Sequence, residues 1–418
     1  MFKRIQQMKK FVMDNFIYGL KSSDKMVKNE SLFYLFYLFI RMNFGLPIEF
    51  LFFLSLSGSN ADAAGIVFLV YMTGTLLSVP LGIVSDKIGR KKVMILCAFA
   101  RLLSACLYAF APSYSFLVLG ALSAGVYRFT YPNVDSFLYE SLVASNQEEK
   151  YHECLSKLKS VAAFSLSVGA LFCGIFYFLF SYRGVMLITV VPVFIAFIIS
   201  FFLTEVPTKR VMTVQPLKHF MKALAYYRRN KKLFCFTVAD ALHYGFNEAS
   251  FTINAAFFKT IMPVWLLGVF RFLGHFTASI CSYLSSIVAK RIGVNKTILF
   301  GAMCDDIVNI ISVLCANWIS PILKTAGSGF FGIYSPATGV FVQKEVSDEE
   351  RATLVSFASI LNNAVFSVAT LILGWMADLF TPQVAMFYGY GSAFCFNILF
   401  VLSFQQKGKK DITSQSSF

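Results

Sequence analysis

Ionisable and amide side chains interrupt the long apolar stretches of this 418-residue chain at only a few places. These residues are Arg41, Asn43 and Glu49, then Arg128 and Asp135, then Asp240, His243, Asn247 and Glu248. A charge in hydrocarbon costs at least ~2.5–3.5 kcal/mol, so such residues should face a protein interior or water. Arginine binds anionic groups, and a buried carboxyl can exchange a proton near neutral pH. The residues of this set therefore predict a polar binding cavity, with Glu49 and Asp240 as the first candidates for a proton carrier.

The spacing of these residues groups them on helix faces. Arg128 and Asp135 are seven residues apart, which puts both on one face of a continuous helix, and Asp240, His243 and Asn247 form one polar stripe at i, i+3 and i+7. Two interpretations remain open at this stage. Either the residues bind and couple solutes, or they form salt bridges across the cavity, for instance between Arg128 and Asp240.

The composition identifies the elements that must position these side chains. The chain is 57% hydrophobic and only 14% charged, against roughly 25% charged residues in an average protein. Apolar stretches of about 20 residues, long enough to cross a bilayer, recur along its length. We therefore predict an all-α polytopic membrane protein. Its twelve predicted membrane-spanning helices, called spans 1 to 12 below, cover residues 32–55, 64–84, 93–111, 114–139, 157–180, 185–203, 233–258, 263–289, 297–317, 320–342, 353–376 and 383–404.

The distribution of basic residues gives the orientation. With twelve spans, 30 of the 37 Lys and Arg residues fall on one face of the membrane. Only Arg183, Lys259 and Lys324 are assigned to the other face. Because basic loops stay in the cytoplasm, we expect a multi-pass protein of the cell membrane with both termini cytoplasmic. The net charge of +15 is then a determinant of topology, and no nucleic-acid partner is expected.

The longest polar connection divides the spans into six and six. The predicted segments are a cytoplasmic N-terminal tail (1–31), an N-terminal six-helix bundle (32–204), a cytoplasmic linker (205–232), a C-terminal six-helix bundle (233–404) and a cytoplasmic C-terminal tail (405–418). Apolar residues at helical spacing within 2–16 and 217–224 suggest amphipathic surface helices. For 2–16, a basic tail without structure is an equal alternative.

A glycine-rich basic loop joins spans 2 and 3. It reads Gly82-Ile-Val-Ser-Asp86-Lys-Ile-Gly89-Arg90-Lys91-Lys92. This loop resembles the signature G-x-x-x-D-x-x-G-R-[RK] of the major facilitator superfamily at every fixed position. Gly82 would allow a helix to approach closely, Asp86 would accept hydrogen bonds from a facing helix N-terminus, and Gly89 would permit a tight turn. Such contacts would latch the cytoplasmic side in one conformation and release it in the other.

The resemblance has further implications. It implies two related six-helix halves, with spans 1, 4, 7 and 10 lining a central cavity. The end of span 4, from Asp135 to Leu142, is similar to bacterial drug and multidrug exporters, and by that resemblance Glu140 would pair with Arg90. A weaker second copy of the loop, at 286–296, supports duplication. The helix-5 antiporter motif survives only in part, at 169–174.

Six further polar residues lie on spans 3, 8 and 9, which the resemblance makes more peripheral. We expect these to make structural contacts, with Asp305 and Asn309 bonding to a neighbouring helix and Arg271 and His275 sharing one face. The six are Arg101, Arg271, His275, Asp305, Asp306 and Asn309.

These observations predict a secondary transporter that works by alternating access. The preferred function is proton-coupled efflux of amphipathic drug-like compounds. One alternative is proton-coupled uptake of an organic solute, with Arg41 and Arg128 binding an anionic group. An alternative of another class is a membrane sensor or scaffold without transport. We expect a monomer in the lipid bilayer with a small-molecule substrate, no enzymatic activity, no cofactor and no metal.

Overall fold

Helices account for nearly all of the chain in the computed structural model, which describes residues 25–206, 226–227, 230–345 and 351–406. The described part contains no strand. The predicted amphipathic segments 2–16 and 217–224 lie outside the described residues, as does most of both predicted tails and of the predicted linker. The predicted all-α fold with twelve membrane crossings is confirmed.

Spans 1 to 6 form the N-terminal half. They comprise Lys25–Ile40 and Glu49–Ser57 (span 1), Asn60–Ile88 (span 2), Arg90–Ala109 (span 3), Tyr114–Tyr127 and Thr130–Ala144 (span 4), a short 3₁₀ turn at Glu148–Lys150, and Tyr151–Phe202 (spans 5 and 6). Ser181 separates span 5 from span 6, because its backbone (φ 57°, ψ −168°) is not helical.

Spans 7 to 12 form the C-terminal half. They are Lys231–Phe258 (span 7), Leu266–Ile292 (span 8), Val294–Cys315 (span 9), Ile319–Glu345 (span 10), Arg351–Leu379 (span 11) and Pro382–Gln405 (span 12). Most of these helices begin and end within a few residues of the predicted span boundaries. Span 1 is an exception, because it begins at Lys25 rather than at residue 32 and so takes in part of the predicted tail. Asn29 holds this extension, since its side chain exchanges two hydrogen bonds of 2.8 Å with the backbone of Thr204.

Spans 1 and 4 are broken near their centres, whereas the sequence predicted continuous helices. Span 1 is non-helical from Arg41 to Ile48, where Gly45 and Pro47 weaken the helix and Pro47 has no N–H to donate. Span 4 is interrupted at Arg128 and Phe129, and Pro132 removes the N–H that would bond to the Arg128 carbonyl. Both breaks occur at a predicted cavity arginine.

Hydropathy separates the spans into two classes. Seven described helices are long and apolar enough to cross a membrane, and they supply spans 2, 3, 5, 6, 8, 9, 11 and 12, since Glu148–Phe202 carries two crossings. The remaining spans 1, 4, 7 and 10 are either broken or too polar to qualify. These four are the spans that the resemblance places around a central cavity, so their polarity is consistent with a position away from lipid.

The two halves pack together mainly through span 2 against span 11 and span 5 against span 8. Small residues let the backbones approach closely: a Cβ added at Gly268 would lie 3.0 Å from the Gly174 nitrogen, and one added at Gly374 would lie 2.9 Å from the Asn60 oxygen. These contacts lie towards the face opposite the 82–92 loop. We call that loop's face the motif face and the other the opposite face. The halves therefore close against each other at the opposite face.

Candidate functional site

A cavity of about 290 Å³ opens inside the N-terminal half, among spans 1 to 4. The broken region of span 1 supplies Arg41 and Asn43, the second helix of span 1 supplies Glu49, and span 3 supplies Arg101. Arg128 enters from the break in span 4. Because the helices stop at these points, their side chains and free backbone groups turn towards the cavity rather than towards lipid.

The three arginines of this cavity lie against tyrosine rings. The guanidinium carbon of Arg128 is 3.6 Å from the ring centre of Tyr71, and that of Arg101 is 5.4 Å from the ring centre of Tyr127. Arg41 donates a hydrogen bond to the Tyr131 hydroxyl. Among the described residues, none of the three forms an ion pair with a carboxylate. Cation–π contact and hydroxyl bonds stabilise them partially and leave their charge available to an anion.

Glu49 lies within electrostatic reach of Arg101 in this cavity. Among the described residues that line the cavity, Glu49 is the one acid beside three arginines, so the lining is positively charged. Asn43 stabilises the turn of the break, because its Oδ1 accepts a hydrogen bond of 3.0 Å from the Gly45 N–H. Asp135, predicted on the same helix face as Arg128, does not line the cavity, because the break in span 4 changes the rotation between them.

Arg128 does not pair with Asp240. It donates a hydrogen bond of 3.3 Å to Asn363 on span 11, while Asp240 accepts one of 3.1 Å from the neighbouring Asn362. Each group therefore bonds to its own asparagine, and the salt bridge that the sequence suggested is wrong. Since Asn363 belongs to the C-terminal half, this bond also joins the two halves near the middle of the membrane.

A fully buried hydrogen-bond network fills the C-terminal half. His243 Nε2 and Asp306 Oδ2 are 2.9 Å apart, and the Asn247 side-chain amide lies 3.0 Å from Asp305 and 3.3 Å from Asp306. Asn309 donates a bond of 2.8 Å to Asp305. The predicted stripe on span 7 thus exists, but its His243 and Asn247 side chains face span 9.

The network continues to span 10 through Lys324. The Lys324 ammonium donates a hydrogen bond of 2.9 Å to Asn309 and lies 4.5 Å from the ring centre of Tyr390. The sequence placed Lys324 within span 10 but counted it among the basic residues of the opposite face. It is the sixth residue of a helix and only 8% exposed, because it points into the bundle towards the acids of span 9.

A second cavity of about 130 Å³ lies beside this network, among spans 7 to 10. Glu248, Arg271, His275 and Lys324 line it together with several phenylalanines. The Arg271 guanidinium carbon lies 3.8 Å from the ring centre of Phe251. Glu248 interacts electrostatically with Arg271 and Lys324, but among the described residues it forms no direct ion pair.

The polar residues expected to be peripheral are central. Arg101 lines the first cavity, Arg271 and His275 line the second, and the Asp305–Asn309 pair bonds to spans 7 and 10, as predicted for those two residues. The expectation was wrong because it took spans 1, 4, 7 and 10 to supply the cavity lining. The charges themselves were the better signal, since an ionised group cannot face lipid from any span.

The predicted pairing at the loop motif is confirmed. Arg90 Nε lies 3.1 Å from Glu140, and its Nη2 lies 3.0 Å from Asp86. Gly89 has a φ of +112°, a conformation that favours glycine. The backbone N–H groups of Arg90 and Lys91 each donate a bond of 3.0 Å to Glu205 at the end of span 6, a helix cap that the sequence did not reveal. The expected close helix approach at Gly82 is wrong, since a Cβ there would meet nothing within 4 Å.

Comparison with known proteins agrees with this architecture. The sequence model of the Major Facilitator Superfamily matches residues 31–363. The chain belongs to this superfamily. Members of the Major Facilitator Superfamily carry small molecules across lipid bilayers, so the chain is a secondary transporter. No curated protein matches the sequence significantly.

Several solved Major Facilitator Superfamily structures share the fold. The nucleoside transporter NupG superposes with a TM-score of 0.74 at 15% identity, covering 92% of this chain and 100% of its own. A bacterial homologue of the iron transporter ferroportin, in an inward-facing state, superposes with a TM-score of 0.71 at 15% identity. The match covers 92% of this chain and 100% of the homologue. An inward-facing, unoccupied bacterial homologue of the human lysosomal transporter Spinster superposes with a TM-score of 0.69 at 14% identity. The match covers 91% of this chain and 96% of the homologue. At such identities the likeness establishes the fold alone.

Proposed function

We propose that this chain is a proton-coupled transporter of an anionic organic solute, working by alternating access in the cell membrane. The observation that carries the proposal is the cluster of Arg41, Arg101 and Arg128 in the N-terminal cavity, without a carboxylate ion pair among the described residues. Unpaired cations at membrane depth are costly, and an anionic solute would supply the missing charge.

Arginine suits such a solute because its planar fork binds carboxylate or phosphate through two parallel hydrogen bonds. Tyr131 and Tyr71 add a hydroxyl and a ring face beside the guanidinium groups. Arg128 already bonds to Asn363 of the other half. An anion at Arg128 would displace or share this bond, so that both halves contact the solute and its arrival changes how they pack.

Alternating access would use the two faces in turn. The packed contacts of spans 2 and 11 at the opposite face would open when the motif face closes. The excess of basic residues favours a cytoplasmic motif face with both termini on that side. One chain supplies both halves of the cavity, so we expect a monomer to be sufficient.

Proton coupling would supply the driving force. Intramembrane carboxyl groups are the usual carriers, and Glu49 and Asp240 are the candidates from the sequence. Their surroundings separate them. Glu49 lies beside the arginines of its cavity, whereas Asp240 lies near Asn362 and His243. Because Asp240 adjoins a histidine that contacts Asp306 of span 9, we place the group that takes up a proton in the C-terminal half.

Efflux of amphipathic drug-like compounds is the second candidate. The C-terminal cavity favours it, because Phe251, Phe258, Phe270 and Phe331 line it next to charged residues. Aromatic walls beside an acid such as Glu248 suit an amphipathic cation as well as an apolar group. The named substrates of the solved structures, a nucleoside among them, do not decide between these candidates at about 15% identity.

Flux in proteoliposomes tests the proposal. We would reconstitute the purified protein and measure transport of glucuronate as an organic anion, ethidium as a lipophilic cation and uridine as an uncharged solute, with a proton gradient imposed in each direction. A screen of thermal stability against wider sets of anions and drugs would extend the panel, since ligands stabilise the state they bind. Gradient-driven movement of anions alone supports the proposal. Movement of ethidium alone favours drug efflux, and binding without any flux favours a sensor.

A further inference from the structure

His243 makes an unusual contact for a residue in the middle of a membrane-spanning bundle. Its Nε2 atom lies 2.9 Å from Asp306 Oδ2, and the two side chains are 1% and 0% exposed. Span 7 carries the histidine and span 9 carries the aspartate. A pair so completely buried is stable only if its charges balance and its remaining polar atoms are hydrogen-bonded.

Neutral donors hold the acid side of this pair in place. Asp306 accepts a bond of 2.6 Å from Asn397 on span 12 and one of 3.3 Å from Asn247 on span 7. Asp305 accepts bonds from Asn247 and Asn309. These amide donors fix the positions of both carboxyl groups, so that Asp306 is held against His243.

Acidic groups surround His243 on the helices that contact it. Asp240 lies one turn away on the same helix, and Asp305 and Asp306 face it from span 9. Span 10 contributes the ring of Tyr334 at 5.5 Å, and span 12 contributes the ring of Phe400 at 5.8 Å. Lys324 of span 10 is the nearest basic side chain in the network, and Asn309 and Asp305 separate it from His243.

The interior of the C-terminal half contains more acidic than basic side chains. Among the described spans 7 to 12, four acids and two basic side chains lie away from the helix ends. The acids are Asp240, Glu248, Asp305 and Asp306, and the bases are Arg271 and Lys324. With every acid ionised the interior would carry two uncompensated negative charges, so it must take up protons to approach neutrality. The imidazole of His243 lies where one of those protons is needed.

We propose that His243 takes up and releases the coupling proton of this transporter, with Asp306 as its fixed counter-charge. The inference rests on the proposed proton coupling and specifies its location. Asp240, which is partly exposed and bonds to span 11 at the boundary between the halves, is the group through which the proton would reach His243. Protonation of His243 would tighten spans 7 and 9 together, and release would loosen them.

His275 provides a matched comparison on span 8. Like His243 it lies away from the helix ends, but its charged neighbour is Arg271, and its Nε2 has no hydrogen-bond partner among the described residues. A protonated imidazole beside a guanidinium would add a second positive charge in a poorly solvated place. We therefore expect His275 to remain neutral under conditions in which His243 is protonated.

Nitrogen NMR of the histidines tests the proposal without knowledge of the solute. The chain has only four histidines, so protein labelled with ¹⁵N-histidine and reconstituted in lipid gives a spectrum that can be assigned by substitution. At pH about 7.5, roughly one unit above the usual histidine pKa, solvent-exposed imidazoles are mostly neutral. The full-length protein and its His243→Gln, Asp306→Asn and His275→Gln variants would be compared.

We expect the wild-type spectrum to contain one imidazolium signal. His243→Gln should remove it, Asp306→Asn should convert it largely to neutral imidazole, and His275→Gln should leave it unchanged. A wild-type spectrum with only neutral imidazoles would overturn the proposal, even if a variant failed to fold. So would an imidazolium signal that survives in a folded His243→Gln protein.

Proteoliposome flux separates this inference from the function on which it rests. If transport of the probe solutes follows the proton gradient while His243 is neutral, the coupling proton resides elsewhere and only the inference fails. If transport ignores the gradient in the wild type, proton coupling itself is wrong, whatever the NMR spectrum contains. His243→Gln should lose gradient-driven flux and keep exchange of solute between two sides at equal pH, whereas His275→Gln should keep both.

Discussion

Asp378, at the end of span 11, caps the first turn of span 2 by accepting hydrogen bonds of 2.7 Å from the Asn60 N–H and 2.9 Å from the Asn60 side-chain amide. It also accepts bonds from Ser59 and Ala61. The acid belongs to the C-terminal half and the capped helix to the N-terminal half. One carboxylate therefore satisfies several free donors of a helix N-terminus across the boundary between the halves.

We predict that Asp378→Asn loosens the closed opposite face. Asparagine keeps the shape but loses the negative charge, and loss of a helix cap costs ~1 kcal/mol, or about a fivefold shift between closed and open conformations. Spin labels placed on spans 2 and 11 near the opposite face should report a larger population at long distance.

Asp62→Asn serves as the control for this prediction. Asp62 lies in the same first turn of span 2, but it belongs to the N-terminal half, as does the helix itself. Replacing it should therefore leave the distances between the spin labels on spans 2 and 11 unchanged. Equal distance distributions in wild type and Asp378→Asn would mean that the cap does not hold this face closed.

Packing of spans 5 and 8 leads to a second prediction. A Cβ at Gly268 would lie 3.0 Å from the Gly174 nitrogen and 3.2 Å from the Cys173 Cβ, closer than normal side chains approach. Gly268→Val should therefore separate the two halves at the opposite face and favour the conformation open there. Modification of cysteines introduced next to this contact should become several times faster. Gly391→Val, where a Cβ meets nothing within 4 Å, should change neither packing nor reactivity.

The third prediction concerns the arginine cluster. Arg128→Gln removes a charge-assisted contact worth about 1.5–3 kcal/mol, so binding of an organic anion should weaken roughly 10- to 150-fold. Calorimetry or thermal shift with glucuronate, or with the best anion from the stability screen, measures the change. Arg183→Gln is the matched control, because Arg183 bonds only to a backbone carbonyl, that of Ala111, among the described contacts. Unchanged binding in Arg128→Gln would place the anion elsewhere.

The fold follows from the sequence because each span must satisfy its own backbone in lipid. Apolar length and basic loops are local features, so they predict the twelve crossings. The Arg90–Glu140 pair was implied by the resemblance of the end of span 4 to bacterial exporters. The helix breaks at Arg41 and Arg128 were not predicted, although Pro47 and Pro132 were visible. Proline is tolerated in membrane helices when other groups satisfy the freed backbone, so it does not by itself predict a break.

The candidate site was harder to predict because it depends on which faces meet. Spacing on span 7 correctly grouped His243 with Asn247, but a single helix does not reveal its partner. Asp305 and Asp306 lie on a span that was expected to be peripheral, and Lys324 was counted with the basic residues of the opposite face although it lies within predicted span 10. Only the rotation of spans 9 and 10 against span 7 brings these charges together.

The last prediction addresses the loop motif. Arg90 contacts Asp86, Glu140 and Ser85 with one planar side chain that is 16% exposed, and lysine has no fork to reach three partners. Arg90→Lys should cost about 2 kcal/mol at the motif face of the N-terminal half and lower the melting temperature of the purified protein. Glu140→Gln should produce part of this loss, and the exposed Glu149→Gln should produce none. If Arg90→Lys is as stable as the wild type but transports more slowly, the arginine acts on the conformational change and not on the stability of this half.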